Sequence, residues 1–133
     1  MKTLLVMSGL ALSTAFAAVD VSVDTILVPD GNVGWFRWIT PTVRCSNLGT
    51  DTADFRSRMS LRDPYDSLRY IDSLQIWHLA PGAETTIQFN HWRVERGFYL
   101  EDWTAFCTTY AASDSNASND TKTKLFYSHP PGV

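Results

Sequence analysis

The sequence predicts an all-β fold, an immunoglobulin-like antiparallel β-sandwich of about seven strands. Clusters of Pro, Gly, Asn and Asp recur at short intervals, for example at 29–32, 47–50 and 80–82, and such clusters form turns. The runs between them are rich in β-branched and aromatic residues and too short for typical helices, and several alternate with a period of two. With 44% hydrophobic and 13% aromatic residues, the chain has enough apolar surface for one core.

The N-terminus has the features of a secretory signal peptide. A basic residue, Lys2, precedes an apolar run over 4–16, and small residues follow the run before Asp20. The run is too short to span a bilayer, so we expect a secreted, extracellular protein with no membrane span in its mature part, with the cell surface and the periplasm as alternative locations. Cleavage leaves about 115 residues, the size of one immunoglobulin-like domain. We therefore predict a signal peptide at 1–18, one domain at 19–128 and a flexible tail at 129–133.

The charge of the mature chain is mildly acidic. Cleavage removes one of the eleven basic residues and leaves ten, against fourteen acidic ones. Proteins that bind nucleic acid through their general charge are usually basic, so we expect no nucleic-acid partner.

The strand predictions, in chain order, cover residues 20–28, 36–47, 54–62, 68–78, 84–91, 99–111 and 121–127. Alternation assigns the faces of the third strand, because successive side chains point to opposite sides of a sheet. One face carries mainly apolar residues and the other carries arginines: Phe55, Ser57, Met59 and Leu61 against Arg56, Arg58 and Arg62. The arginine face is either a solvated outer face that keeps the strand soluble or a site for an anion or glycan.

The second predicted strand contains a dense aromatic segment, Trp35-Phe36-Arg37-Trp38-Ile39. Ile39, Val43 and Cys45 share one parity, which sends Phe36 and Trp38 to the opposite face. We predict an interaction surface at Trp35, Phe36 and Trp38, since exposed aromatic residues often mark a partner. Packing of the same rings in the core or over the end of the sandwich is the alternative.

The only two cysteines are Cys45 and Cys107, both in predicted strands. Two thiols cannot build a structural zinc site alone, and they do not form a CxxC pair. We predict one disulfide between them, with a reactive free thiol as the alternative.

Short motifs follow one another in a fixed order across nearly the whole mature chain. They are Pro29-Asp-Gly-Asn-Val33, Thr40-Pro41, Val43-Arg-Cys-Ser-Asn47-Leu-Gly49-Thr50, Leu79-Ala-Pro-Gly82, Phe89 and Trp92, Arg96-Gly97-Phe-Tyr99, Cys107-Thr-Thr, and Asp114-Ser-Asn116-Ala-Ser-Asn119-Asp120. This ordered set resembles CARDB-type domains, the cell-adhesion-related, immunoglobulin-like modules of exported prokaryotic proteins. The resemblance implies a β-sandwich with a binding or structural role and no catalysis, and with the two cysteines on facing strands.

The chain departs from the CARDB pattern in three ways. The segment between Pro29 and Pro41 is usually small and polar in that family, but here it is aromatic. The stretch 97–107 is longer than usual and carries Glu101-Asp102. Such modules usually occur as repeats, whereas this sequence contains one copy, so we expect it to act alone or to find its own neighbours.

No catalytic or cofactor-binding motif is present. His78, His91 and His129 are not at ligand spacing, and no GxSxG, HExxH or phosphate loop occurs, so we expect no enzyme activity and no cofactor.

The loop 114–120 has oxygen-bearing residues that calcium could use, but it lacks the Gly and Glu of an EF-hand loop, and Asx turns account for the same residues. We therefore predict no metal site. Asn116 and Asn119 begin sequons and are candidate N-glycosylation sites.

Two function classes follow. The first is an exported, non-enzymatic structural module that associates with itself, through edge strands and exposed aromatic residues, into an extracellular fibre, filament or coat. The alternative is an adhesive or carbohydrate-binding module that acts as a monomer on a cell-surface glycan. A self-assembling protein forms large species without ligand, whereas a lectin-like monomer stays small and binds glycan resin.

Overall fold

A computed structural model describes residues 18–98, 101–112, 114 and 116–131 of the 133-residue chain. The predicted signal peptide lies outside these residues, apart from residue 18. The strands are β1 (Val21–Val28), β2 (Asn32–Gly34), β3 (Trp38–Ile39), β4 (Thr42–Asn47), β5 (Ala53–Arg62), β6 (Leu68–Leu79), β7 (Glu84–Gln88), β8 (Trp92–Arg93), β9 (Trp103–Tyr110) and β10 (Thr121–His129), with a 3₁₀ turn at Ala117–Asn119.

The strands form two main sheets and a small ribbon, as the predicted sandwich requires. The larger sheet has the order β2-β10-β9-β5-β6, the smaller one has the order β1-β4-β7, and β3 pairs with β8. All pairs are antiparallel except β2 and β10, which run parallel. The all-β fold class is confirmed.

Most of the strand predictions match the structure within a few residues, but the long strand predicted at 36–47 is wrong. Residues 35–36 form a turn, with Phe36 at a φ of 68°, and Pro41 separates β3 from β4. Proline lacks the N–H that a continuous ladder needs. The predicted strand 84–91 likewise ends at Gln88 in β7, and β10 continues to His129, one residue into the predicted tail.

The core lies between the inner faces of the two main sheets. Trp103 is fully buried at its centre, and its ring centroid lies 5.7 Å from those of Trp92 and Phe126 and 5.8 Å from that of Phe98. Such edge-to-face and tilted contacts are favourable for aromatic rings. The alternation predicted for β5 is present, because its odd-numbered residues are buried from Phe55 to Leu61 while Arg56 and Arg58 are exposed.

Within the described residues, no helix is long and apolar enough to cross a membrane.

Candidate functional site

Three surface features of the sandwich are candidates for contacts with a partner: the aromatic segment at 35–38, the free edge of β6, and the outer face of the larger sheet. The aromatic segment divides into one anchoring ring and two exposed rings. Trp35 is half-buried against the core, and its Nε1 donates a hydrogen bond of 3.1 Å to Ser128 Oγ. Its backbone N–H donates to the His129 carbonyl at 2.8 Å. Trp35 therefore fixes the segment to β10.

Phe36 and Trp38 are the exposed rings, with 43% and 62% of their surfaces accessible. The Arg93 guanidinium lies 5.4 Å from the Phe36 ring centroid, and its Nε donates to the Phe36 carbonyl. Trp38 packs edge to face on His91 at 4.7 Å. A phenylalanine with a positive φ is strained, and an exposed one adds little to the core.

The free edge of β6 is a feature that the sequence analysis did not identify. Among the described strands, β6 pairs with β5 alone and forms one edge of the larger sheet over twelve residues. Four large apolar side chains on it are exposed: Leu68 by 45%, Ile71 by 51%, Leu74 by 37% and Trp77 by 65%. Their spacing of three residues was the available signal in the sequence. Because side chains alternate between the two faces of a strand, residues three apart lie on opposite faces, so this series places exposed apolar side chains on both faces of β6. Apolar exposure on both faces is more typical of an edge strand than of a central one.

A buried carboxylate fixes the start of β6. Asp63 Oδ1 accepts hydrogen bonds from the N–H groups of Tyr65 and Ser67, and Oδ2 accepts one from Arg69 Nε at 2.9 Å. Arg69 also reaches Glu95 at 2.9 Å. Burial alone would raise the pKa of Asp63, but these hydrogen bonds outweigh it and lower the pKa. The β5–β6 turn is therefore held rigidly to the segment that follows β8.

The outer face of the larger sheet forms a shallow groove of about 410 Å³. Arg58, Arg62, Phe106 and Tyr110 line it, together with several hydroxyl-bearing residues. The Arg58 guanidinium lies 5.7 Å from the Tyr110 ring centroid. The predicted arginine stripe is therefore combined with aromatic rings from β9, a combination that the sequence of β5 alone could not indicate.

The two cysteines are free and fully buried, one in each main sheet. Ser57 Oγ lies 3.5 Å from the Cys107 sulfur, within hydrogen-bonding distance, and both cysteines belong to one core cluster. Burial raises the pKa of Cys45 to about 12, helped by the neighbouring Cys107, and burial raises that of Cys107 to about 11. The structure does not show the disulfide, which stays a prediction, and these pKa values argue against a reactive thiol.

The loop at 114–120 contains the Asx turns that the sequence analysis considered. Asp114 Oδ1 accepts from the Asn116 N–H, and Asn116 Oδ1 accepts from the Ser118 N–H and hydroxyl. Of the two candidate glycosylation sites, Asn116 is exposed, whereas Asn119 Nδ2 donates to Asp20 Oδ1. No group of three or more His, Cys, Asp or Glu in the described part of the chain is placed to hold a metal ion.

Asp120 adds an unfavourable charge to this loop. Its Oδ1 is buried without a hydrogen-bond partner in the described residues. Burial, together with the nearby carboxylates of Asp114 and Asp20, raises the pKa of Asp120 from 3.8 to about 6. The folded state therefore holds this proton more tightly than the unfolded chain does.

Asp120→Asn is expected to stabilise the domain above pH 6. Because the folded pKa is raised, the stability of the natural chain falls as the pH rises from about 4 to about 6, and the penalty persists above that range. The substitution should add about 1 kcal/mol to the free energy of unfolding at pH 7, a discounted value for a partly solvated loop, and nothing below pH 4. Urea unfolding from pH 3.5 to 8 measures this, with the exposed Asp51→Asn as control. Lower stability of Asp120→Asn at pH 7 would contradict the assignment.

The remaining candidates do not form a common site. His78 contacts Asp54, His91 packs on Trp38, and His129 Nδ1 contacts the Pro130 carbonyl. The three histidines thus have different neighbours.

The architecture defines an immunoglobulin-like β-sandwich, and solved structures share it. The CARDB domain of a Pyrococcus furiosus protein, solved in complex with di-metal ions, superposes with a TM-score of 0.59 at 15% identity, covering 85% of this chain and 89% of that domain. The predicted resemblance to CARDB domains is thereby confirmed for the fold.

Segments of larger enzymes also share the fold. A β-glucuronidase from Parabacteroides merdae matches with a TM-score of 0.55 at 12% identity, and a β-glucosidase from Erythrobacter marinus matches with 0.52 at 14%. The matches cover 82% and 83% of this chain but only 13% and 15% of those enzymes. No protein-family model and no curated protein matches the sequence.

Proposed function

We propose that this protein is an exported, non-enzymatic structural module that associates with itself into an extracellular assembly. The observation that carries the proposal is the edge strand β6, with Ile71, Leu74 and Trp77 exposed. An open edge presents unpaired N–H and C=O groups, which a further strand can pair with. Export follows from the signal peptide predicted at 1–18, and the lack of a catalytic motif in the sequence supports a non-enzymatic role.

The other edges of the two main sheets are less suited to pairing. The edge strand β2 has three residues, β7 has five and begins with Glu84, and β1 is interrupted by two register shifts. Short length, charge and bulges are the usual protections of an edge against unwanted pairing. By contrast, β6 has twelve residues with neither Lys nor Pro, and its two register shifts lie towards its ends and leave a regular ladder with β5 from Tyr70 to Ile76.

The spacing of the exposed residues on β6 suits antiparallel pairing with a second copy about a two-fold axis at Leu74. Ile71 and Trp77 are each three residues from that centre, so each lies opposite the other across the new strand pair. Residues opposite each other in an antiparallel pair point to the same face, and apolar or aromatic cross-strand pairs stabilise a sheet by about 0.2–1 kcal/mol each. The two Leu74 side chains meet on the axis. No charged residue of one copy lies opposite a charged residue of the other in this register.

The aromatic segment borders the same region. The Asn90 N–H donates to Asp72 Oδ2 on β6, and the next residue, His91, packs on Trp38. A partner seated on β6 is therefore near a second apolar contact surface, formed by Phe36 and Trp38. Two separate contact surfaces on one domain allow growth beyond a dimer.

Leu74→Lys is expected to abolish the association without unfolding the domain. Pairing about Leu74 would bring two lysine charges together on the axis, and like charges directly opposite in a sheet are destabilising. Sedimentation velocity should show large, concentration-dependent species for the natural chain and a monomer for the variant.

Leu48→Lys is the matched control. Leu48 is also an exposed leucine, at 59% against 37% for Leu74, but it lies in the turn after β4 and outside β6. It should leave the size distribution unchanged, and both variants should keep the thermal transition of the natural protein. A natural chain that stays monomeric at high concentration, or a Leu74→Lys variant that still assembles, would disprove the β6 interface.

A further inference from the structure

The outer face of the larger sheet carries positive charge that the protein does not neutralise. Arg56 and Arg58 are exposed, and within the described residues neither forms an ion pair. Arg58 Nε donates a hydrogen bond of 3.4 Å to the Ser73 hydroxyl. At the end of the groove, Arg62 forms an ion pair with Asp66, with 3.9 Å between Arg62 Nε and Asp66 Oδ1. In a chain with a net charge of −3, an unpaired cationic face stands out.

The groove combines these cations with aromatic rings and hydroxyl groups. Phe106 lies opposite Ser60, and Tyr110 lies opposite Arg56, in the ladder between β9 and β5. Both rings are exposed, and Thr104, Thr108 and Thr123 supply hydroxyls beside them. The volume of about 410 Å³ falls within the range of small-molecule sites.

The spacing fits an extended ligand. Outward residues repeat every second position of a strand, so Arg58 and Arg62 are roughly 13 Å apart, as are Phe106 and Tyr110 on the neighbouring strand. Arg58 and Arg62 have different partners within the protein, Ser73 and Asp66, so a ligand that contacts both arginines in these positions is extended. A chain that alternates flat apolar ring faces, hydroxyls and carboxylates can reach them and can also contact both aromatic rings.

We propose that this groove binds an anionic saccharide chain of the uronic-acid type. The guanidinium groups pair with carboxylates, Tyr110 and Phe106 pack against sugar ring faces, and the threonine hydroxyls exchange hydrogen bonds with sugar hydroxyls. Arg58, which lines the groove and has no ion-pair partner in the described residues, favours an acidic over a neutral saccharide. A nucleic acid is a poorer match, because the groove has few cations and no lysine, whereas nucleic-acid affinity is dominated by many phosphate contacts. The groove shares Ile71 with the proposed β6 interface, but the binding proposal rests on the arginines and aromatic rings and does not require self-association.

The test uses a hexagalacturonate as probe, titrated by calorimetry into the natural chain and into the monomeric Leu74→Lys variant. Both proteins should bind it, and maltohexaose, a neutral chain of the same length, should bind at least tenfold more weakly. Arg58→Gln should weaken hexagalacturonate binding by about tenfold or more, as expected for the loss of a charge-assisted pair. Tyr110→Ala should weaken it by a similar factor. Arg44→Gln, which removes an arginine paired with Glu84 on the other sheet, should bind as the natural chain does.

Several outcomes would overturn the proposal. These are no binding of hexagalacturonate, equal binding of maltohexaose, an unaffected Arg58→Gln variant, or the same loss in Arg44→Gln. If sulfate displaces hexagalacturonate when both are present at the same concentration of negative charge, the groove is a site for simple anions. If a thymidylate hexamer binds more tightly than hexagalacturonate, the groove is a nucleic-acid site. Binding retained by Leu74→Lys separates this result from any failure of self-association.

Discussion

Folding under oxidising conditions is expected to join Cys45 to Cys107 and to raise the free energy of unfolding by about 4 kcal/mol over the reduced protein. The bond would close a loop of about sixty residues, and long loops lose the most entropy in the unfolded chain when they are cross-linked. Cys45 and Cys107 are buried in the same core cluster, one on each main sheet, so the bond would join the two sheets inside the core.

The measurement compares chemical unfolding of protein refolded with and without oxidant. Intact mass should show the loss of two hydrogens in the oxidised sample, with no alkylatable thiol. A Cys45→Ala/Cys107→Ala variant is the control, since its stability should not respond to oxidant. Recovery of two alkylatable thiols from protein folded under oxidising conditions would contradict the disulfide, and a bond between chains would indicate covalent assembly instead.

The buried environment also sets when the bond can form. Burial raises the pKa of both thiols well above neutral pH, to about 12 for Cys45 and about 11 for Cys107, so the folded domain contains almost no thiolate. The thiolate is the reactive form in disulfide exchange. Protein that folds in the reduced state should therefore resist later oxidation, and the bond should form during folding.

Alternation within a strand was enough to predict the faces of β5, because burial on one side imposes a period of two. The same rule failed at 36–47, where Pro41 and the positive φ of Phe36 divide one apparent strand into a turn and two short strands. Neither feature changes the hydrophobic pattern, so the pattern could not reveal the break.

The candidate sites were harder to predict than the fold because they depend on how strands are ordered. β6 is an edge strand because it lies at one end of the larger sheet, and the order of the strands along the chain does not determine which strand lies there. Likewise, Arg58 meets Tyr110 because β9 lies beside β5, although the two residues are far apart in sequence. The exposure of Phe36 and Trp38 agrees with their parity, whereas Trp35 is anchored by β10, which the local sequence does not indicate.

Replacement of Phe36 and Trp38 together by Ser is expected to weaken association while leaving the fold intact. Both rings are largely exposed, and each has one main aromatic or cationic contact, with Arg93 and His91 respectively. Loss of those contacts should change the free energy of unfolding by about 1 kcal/mol or less. Removal of two aromatic anchors from an interface typically costs a few kcal/mol of association, so sedimentation should show smaller species.

Trp35→Ser is the matched comparison, because Trp35 belongs to the same segment but packs inward. It should lower the free energy of unfolding by about 3 kcal/mol, since it removes a half-buried indole and leaves Ser128 without its donor. The two variants therefore separate contact with a partner from packing within the domain. If the Phe36/Trp38 double variant melts as early as Trp35→Ser and keeps the oligomer size of the natural chain, the exposed rings stabilise the fold and do not form an interface.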